Sequence, residues 1–270
     1  MTTQTSSGER WALILGASSG FGAAAARELA RQGYNIFGVH LDLKATLPRA
    51  KQVSADIEAL GRKAVFFNTN AADERKRNKV LDRIQAIVNE SDPPGTVGVL
   101  MHSLAFGTLR WFVPEDPAEA VTQAQLEMTL DVMANSLIYW TQGVIYRGLM
   151  GEGGRIFAMT SGGSTRVVPD YGPVSAAKAA LDSHIRYLSF ELGGKGICVN
   201  GIRAGVTDTP ALRMIPSAGL IVSESLKRNP TGRLTKPEDI AKVIAHLCSP
   251  DMSRINGAVI VVDGGEEVVG

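Results

Sequence analysis

The chain has 270 residues, 44% hydrophobic and 20% charged, with 28 basic and 27 acidic side chains and a formal net charge of +1. That balance gives no bulk electrostatic reason to expect nucleic acid or a membrane as partner, and a chain this long buries roughly 75% of its unfolded surface without staples. The two cysteines, Cys198 and Cys248, lie far apart in apolar surroundings and read as buried reduced thiols.

Residues 1–9 (MTTQTSSGE) are small and polar and read as a flexible tail, with no apolar stretch that would serve as the centre of a signal peptide. No run reaches the 18 apolar residues of a spanning helix, so a cytoplasmic protein is expected. From there, short apolar runs alternate with helical spacing. WALIL (11–15), YNIFGV (34–39), AVFF (64–67), VGVLMH (97–102), RIFAMT (155–160), ICVNGI (197–202) and AVIVVD (258–263) are near-continuous rather than alternating, as strands covered on both faces must be. Helical periodicity covers 21–32, 50–61, 73–90, 118–150, 173–193 and 236–248. The alternation predicts one α/β domain over 10–270, a single Rossmann-like, doubly wound parallel sheet of about seven strands with helices on both faces. The basic run at 75–79 reads as a solvated helix face. Residues 203–235 break the alternation, and about 206–235 is expected to be a substrate-binding loop.

The first strand runs into GASSGFG (16–22) and then a helix. In this loop Gly16 allows the turn, Gly20 lets backbone approach a pyrophosphate and Gly22 permits close helix–strand packing. The helix N-terminus, with Ser18, Ser19 and Phe21 around it, offers unpaired N–H groups to phosphates. Nothing in the chain has metal-ligand spacing, so no metal is expected.

GASSGFG, Asn70 after the third strand, the strand end MHSLA (101–105), VNGIRAGVTDTP (199–210) and VVDGG (261–265) together resemble the short-chain dehydrogenase/reductases from about residue 10 to 265. The resemblance implies a nicotinamide dinucleotide, with Asn70 and Ala71 flanking the adenine and Ser103, Leu104 and Ala105 along the adjacent wall. It places Gly205, Val206, Thr207 and Thr209 at the nicotinamide end, and matches Asn135 to an asparagine that supports a proton relay. An acidic residue at the end of the second strand would select NADH. His40 holds that place, Asp42 follows two residues later, and the nearby Lys44 and Arg49 turn the expectation toward NADPH over NADH.

In most of that family a tyrosine stands four residues before the lysine that binds the nicotinamide ribose and lowers the phenol's pKa. SAAKAAL (175–181) marks Lys178 as the lysine, and the expected phenol position is Val174, which transfers no proton. Tyr171 lies seven before Lys178, a spacing that returns to nearly the same helix face, and Pro173 suits a first helical turn. A donor displaced outward suits an enolate two carbons beyond the site of hydride attack rather than a ketone oxygen on the attacked carbon. Tyr-x6-Lys, HSLA and AG (204–205) resemble the enoyl-acyl carrier protein reductases, and the ordinary glycine loop with Ser161 resembles their divergent, type III-like branch. Ser161 either assists substrate binding or caps the strand end.

The resemblance implies an enoyl thioester on acyl carrier protein or coenzyme A as substrate, and a homotetramer. Leu212, Met214, Ile215, Leu220 and Ile221 would line a lid over the acyl chain. Arg213, Lys227, Arg228 and Arg233 either meet an acidic carrier protein or a phosphopantetheine phosphate, or are simply solvated. His102 reads as packed rather than catalytic. Two other functions stay open on the sequence: a ketoreductase or alcohol dehydrogenase of the same family, and a non-catalytic dinucleotide-binding regulator.

Overall fold

The computed structural model describes residues 8–269. Most of the expected tail, residues 1–7, lies outside the described residues. At its described end Glu9 accepts from Lys63 Nζ at 2.6 Å. Seven strands, β1 (Arg10–Leu15), β2 (Asn35–His40), β3 (Ala64–Asn68), β4 (Thr96–His102), β5 (Arg155–Thr160), β6 (Cys198–Ala204) and β7 (Val259–Val262), pair in parallel in the order β3-β2-β1-β4-β5-β6-β7. All seven expected strands are present. β2 and β5 are buried along their whole length, which is why they read as unbroken apolar runs.

Eight α-helices connect and cover the sheet: α1 (Gly20–Arg31), α2 (Leu47–Ala59), α3 (Glu74–Val88), α4 (Gln123–Leu130), α5 (Ser136–Tyr146), α6 (Gly172–Gly193), α7 (Ala218–Arg228) and α8 (Pro237–Leu247). Two buried cores result. One packs Trp11, Phe37, Leu81, Trp140 and Leu181 on one face of the sheet. The other packs Ile14, Leu29, Ile57, Phe157 and Ile244 on the opposite face. Trp11 stacks on Phe37 with ring centroids 4.0 Å apart and joins neighbouring strands in the first core. No described helix is long and apolar enough to cross a membrane.

Three sequence expectations are corrected. The stretch 118–150 is not one helix. A capping box starts α4, with Thr122 Oγ1 accepting from Gln125 N and Gln125 Oε1 accepting from Thr122 N. A π-helical turn, Asp131–Asn135, then separates α4 from α5, and Gly148 at φ +68° follows the end of α5. The segment 206–235 is not irregular throughout, because it contains α7, whose only buried residue is Ser225. The basic run is exposed at Arg75, Lys76, Asn78 and Lys79 as expected, but Arg77 within it is buried, donates to the Ala72 carbonyl at 3.2 Å and lies over the Tyr139 ring.

The strand order reverses between β1 and β4. In an open α/β sheet the crevice beyond the strand ends at such a point is where a ligand binds. Gly16 follows β1 and Ser103 follows β4, so the glycine loop and the MHSLA strand end meet there. Ser103 N donates to the Leu15 carbonyl at 2.9 Å, and Gly16 N donates to the Val39 carbonyl at 2.8 Å.

Candidate active site

The glycine loop is held by close backbone approach. Gly16 sits at φ +88° with the Ser103 carbonyl where a Cβ would be, and the Gly16 carbonyl fills the same position at Gly22. Gly20, at φ +53°, faces Thr209, whose methyl group is 3.5 Å from where a Cβ would stand. Ser19 is the N-cap of α1 yet makes no side-chain cap. The first N–H groups of α1 are thus left for another acceptor, and the absence of side-chain bulk at 16, 20 and 22 leaves backbone free to approach it. Both features fit a dinucleotide pyrophosphate. A cleft of about 380 Å³ beside the loop is lined by Ser18, Ser19, Gly20, Arg27, Arg49 and Asp208 among others.

His40 and Asp42 lie together at the end of β2. His40 is buried, and its Nδ1 lies 2.8 Å from Asp42 Oδ2. Asp42 is fixed by its backbone as well, donating to Asn68 Oδ1 at 3.0 Å and accepting from Asn68 Nδ2 at 2.9 Å. Burial pushes the Asp42 carboxyl up, but hydrogen bonds from Thr46, Ser18 and His40 outweigh it and hold the group below the usual carboxylate range. A charged carboxylate in contact with the glycine loop therefore stands at the end of the second strand, with His40 as its support. Asn70 shapes the next turn by accepting from Ala72 N at 3.0 Å, and Trp140 Nε1 donates to the Ala71 carbonyl at 2.9 Å. Leu104 packs on the first core, whereas Ala105 is exposed.

The catalytic candidates meet beyond β5. Ser161 follows that strand, and its Oγ accepts from Gly163 N at 3.1 Å. Tyr171 is the N-cap of α6, with Pro173 in the first turn as expected. Its half-buried ring lies against Gly163, where any side chain would collide with it. Burial raises the Tyr171 phenol above its ordinary value, and the Ser161 hydroxyl works in the opposite direction. Lys178, two turns further along α6, reaches back to donate from Nζ to the Met159 carbonyl at 2.7 Å. Its amine is buried and pushed down to about 8, with Asp182 opposing the effect of burial. Both Tyr171 and Lys178 are thus directed at the β5 end and Ser161.

Val174, at the usual phenol position, is part of the core. It packs with Met133 against Gly107, and a Cβ on Gly107 would be 2.7 Å from Met133 Sδ and 3.0 Å from Val174 Cγ2. His102 is packed as expected. Its Nε2 lies 2.8 Å from Ser136 Oγ, and burial, aided by the Lys178 charge, pushes it down to about 3, so it stays neutral. Asn135, matched to the relay asparagine, has its Oδ1 3.1 Å from His184 Nε2.

Beyond β6, Gly205 is pressed against Thr235 and Asp263, and Thr207 Oγ1 donates to the Gly205 carbonyl at 2.9 Å. Thr209 Oγ1 accepts from Leu212 N at 3.2 Å, and Val206 N donates to Glu266 Oε2 at 3.2 Å. The four cations read as carrier contacts all have carboxylate partners within the chain: Arg213 with Asp208, Lys227 with Glu224, Arg233 with Asp239 and Arg228 with Glu266. No group of His, Cys, Asp and Glu among the described residues is placed to hold a metal.

The family model described as enoyl-(acyl carrier protein) reductase matches residues 16–267. The chain belongs to the short-chain dehydrogenase/reductases, in their enoyl reductase-like family. It is 30% identical to the NADH enoyl-[acyl-carrier-protein] reductase FabI of Aquifex aeolicus over 65% of this chain and 64% of that protein. It is also 29% identical to the cyclohexanol dehydrogenase of an Acinetobacter species, over 94% of this chain and 93% of that one. A crystallised short-chain dehydrogenase from Burkholderia cenocepacia in complex with NADP superimposes with a TM-score of 0.81 at 30% identity, covering 96% of this chain and 98% of that one. In this family's frame the chain is an oxidoreductase, and the uncapped α1 terminus is the expected dinucleotide end. Two features escaped the sequence reading. The Asp42–Asn68 interlock was legible only as an acidic residue near the strand end. The charged groups behind the site, described below, left no local signal.

Proposed function

We propose that this chain reduces the 2,3 double bond of a trans-2-enoyl thioester with NADH. The observation that carries the reading is the placement of Tyr171 at the N-cap of α6, over Ser161, while Val174 is sealed into the core. Tyr171 stands seven residues before Lys178 at the start of the same helix, a spacing that suits an enolate oxygen remote from the attacked carbon.

A reduced nicotinamide, when bound, would supply a hydride to the β-carbon. As that bond forms, the alkene electron pair moves toward the thioester and negative charge grows on its carbonyl oxygen. Tyr171 donates a hydrogen bond to that oxygen, with its proton retained by a phenol whose pKa is raised. Ser161 orients the phenol, and Lys178 binds the ribose hydroxyls from a position fixed by the Met159 carbonyl. The α-carbon then takes a proton from water, giving the saturated thioester.

NADH replaces the NADPH expected from the sequence because Asp42 holds a negative charge beside Ser18, where it accepts a ribose 2′-hydroxyl and repels a 2′-phosphate. Lys44 and Arg49 have no such fixed geometry. Pairing of Arg213, Lys227, Arg228 and Arg233 with carboxylates of the chain leaves the anionic carrier or coenzyme A to be recognised by other groups. The homotetramer implied by the family belongs to the same proposal, and the exposed Tyr146, Tyr187 and Phe190 on α5 and α6 supply apolar surface for it. Light scattering of the purified chain tests it.

The similarity to a cyclohexanol dehydrogenase supports a second reading, oxidation of a secondary alcohol with Tyr171 as the base. Initial rates with crotonyl-coenzyme A and NADH, compared with cyclohexanol and NAD, separate the two. Turnover of cyclohexanol alone overturns the first reading.

A further inference from the structure

Three arginines and three carboxylates lie behind the site and take no part in the chemistry above: Arg166, Arg203, Arg228, Asp182, Glu266 and Glu267. They converge on the turn that follows β7. Asp263 makes this turn rigid, accepting from Gly265 N at 2.8 Å and Glu267 N at 2.7 Å.

From that turn Glu267 reaches the catalytic loop. Its Oε1 is 3.0 Å from Arg203 Nη1 and 3.8 Å from Arg166 Nη2, while its backbone carbonyl accepts from Arg166 Nη2 at 2.8 Å. Arg203, at the end of β6, extends Nη2 to Ser164 Oγ at 3.4 Å and toward Asp182 Oδ2 at 3.8 Å. Ser164 and Arg166 lie between Ser161 and Tyr171, and Asp182 lies one turn beyond Lys178 on α6. The same loop holds Asp170 at φ +62°, the one described non-glycine residue in the left-handed region, immediately before Tyr171. Such a residue persists where its surroundings over-determine it. The grip of Glu267 on Arg166 is one such restraint.

Glu266 faces the other way. It is 6% exposed, accepts from Val206 N at 3.2 Å and lies 3.8 Å from Arg228 Nη2, at the end of α7. Asn229, the next residue, donates to the Asp263 carbonyl at 2.8 Å. One turn thus ties together the loop that leads to Tyr171, the segment at Val206 and the end of α7. Ion pairs as exposed as Arg166–Glu267 contribute little stability, and desolvation of the buried Glu266 and Asp182 offsets their attraction, so this array is better explained by the geometry it fixes.

We propose that Glu267 and Glu266 are positioning residues of this active site: Glu267 sets the loop that carries Ser161 and Tyr171, and Glu266 sets Val206 together with the end of α7. The Glu267 half rests on the reading of Tyr171 as donor; the Glu266 half rests only on the dinucleotide end of the site.

The test uses the full chain with Glu267→Gln, Arg166→Ala, their double variant and Glu266→Gln. Hydrogen exchange without cofactor, NADH titration, thermal unfolding and steady-state kinetics are measured on each. Glu267→Gln is expected to speed exchange across 162–171 and lower kcat roughly tenfold, with NADH affinity and Tm held. Arg166→Ala, which also removes the bond to the Glu267 carbonyl, should do the same at least as strongly, and the double variant should fall short of the sum of the two. Glu266→Gln is expected to speed exchange across 206–209 and 218–229 and weaken NADH binding about three- to tenfold. Unchanged exchange in these segments overturns the proposal. So does a uniform fall in Tm, kcat and NADH affinity across all four variants, which marks a merely structural array. A wild-type chain that turns over an alcohol and no enoyl thioester defeats the enoyl reading alone, because exchange and NADH binding read the positioning roles directly.

Discussion

Replacing Tyr171 with Phe removes one hydroxyl and almost nothing else. The ring keeps its seat against Gly163 and its contact with the first core, so no cavity forms. The hydroxyl has Ser161 as its neighbour, and loss of one such half-buried hydrogen bond costs about 1 kcal/mol of stability. A fold-wide explanation for lost activity is thereby removed in advance. On the reaction, a missing donor to a developing oxyanion typically costs about 10²–10³ in kcat, or about 2.7–4 kcal/mol of transition-state stabilisation. Tyr171→Phe should show that loss with crotonyl-coenzyme A and leave the KM for NADH near wild type, since Lys178 rather than the phenol holds the ribose. Adding Val174→Tyr, which restores the family's usual spacing, should not rescue it. Val174 sits between Gly107 and Met133, and forcing a larger side chain into that packing costs about 1–3 kcal/mol. The assay is NADH oxidation over a range of thioester concentrations, with Tm measured alongside. Wild-type kcat in Tyr171→Phe, or full rescue by the added tyrosine, refutes the reasoning.

Other outcomes follow from the same geometry. Asp42→Ala should raise the KM for NADH and lower that for NADPH, moving the preference by about 1.5–3 kcal/mol, as read from kcat/KM with each cofactor. Lys178, brought from 10.5 to about 8 by burial, loses its proton within the working range, so kcat/KM should fall as pH rises through about 8. Because the folded form of this lysine holds its proton less tightly than the unfolded chain, its cost to folding is complete below about pH 8. That cost is relieved as pH rises toward 10.5, visible as a gain in denaturation midpoint over that window unless other groups oppose it. Gly16→Ala, which places a methyl group on the Ser103 carbonyl at φ +88°, should abolish NADH binding and destabilise the fold by about 1–3 kcal/mol.

Much of the fold was legible because burial on both faces of a parallel sheet leaves a simple mark. β2 and β5, wholly buried, were readable as unbroken apolar runs, and GASSGFG announced the β1–α1 turn. The break at 131–135 was less visible, because a single π-helical turn shifts the register over too few residues to interrupt a helical pattern, although the Thr122–Gln125 capping box was readable. Helix α7 escaped because it buries only Ser225 and so shows no apolar stripe. At the site, the Tyr171–Lys178 spacing was readable from the helix period, and the burial of Val174 agrees with it. The role of Asp42 was not, since it depends on Asn68, 26 residues away. The array around Glu266 and Glu267 joins residues up to 101 positions apart, a distance over which no local pattern survives.

The fate of the hydride tests the central claim most directly. The purified chain is given NADH deuterated at the transferred position together with equal amounts of crotonyl- and acetoacetyl-coenzyme A, and the products are resolved by mass and NMR. The account predicts butyryl-coenzyme A carrying one deuteron on its β-carbon, with acetoacetyl-coenzyme A recovered unchanged. Deuterated 3-hydroxybutyryl-coenzyme A with the crotonyl thioester untouched would contradict it.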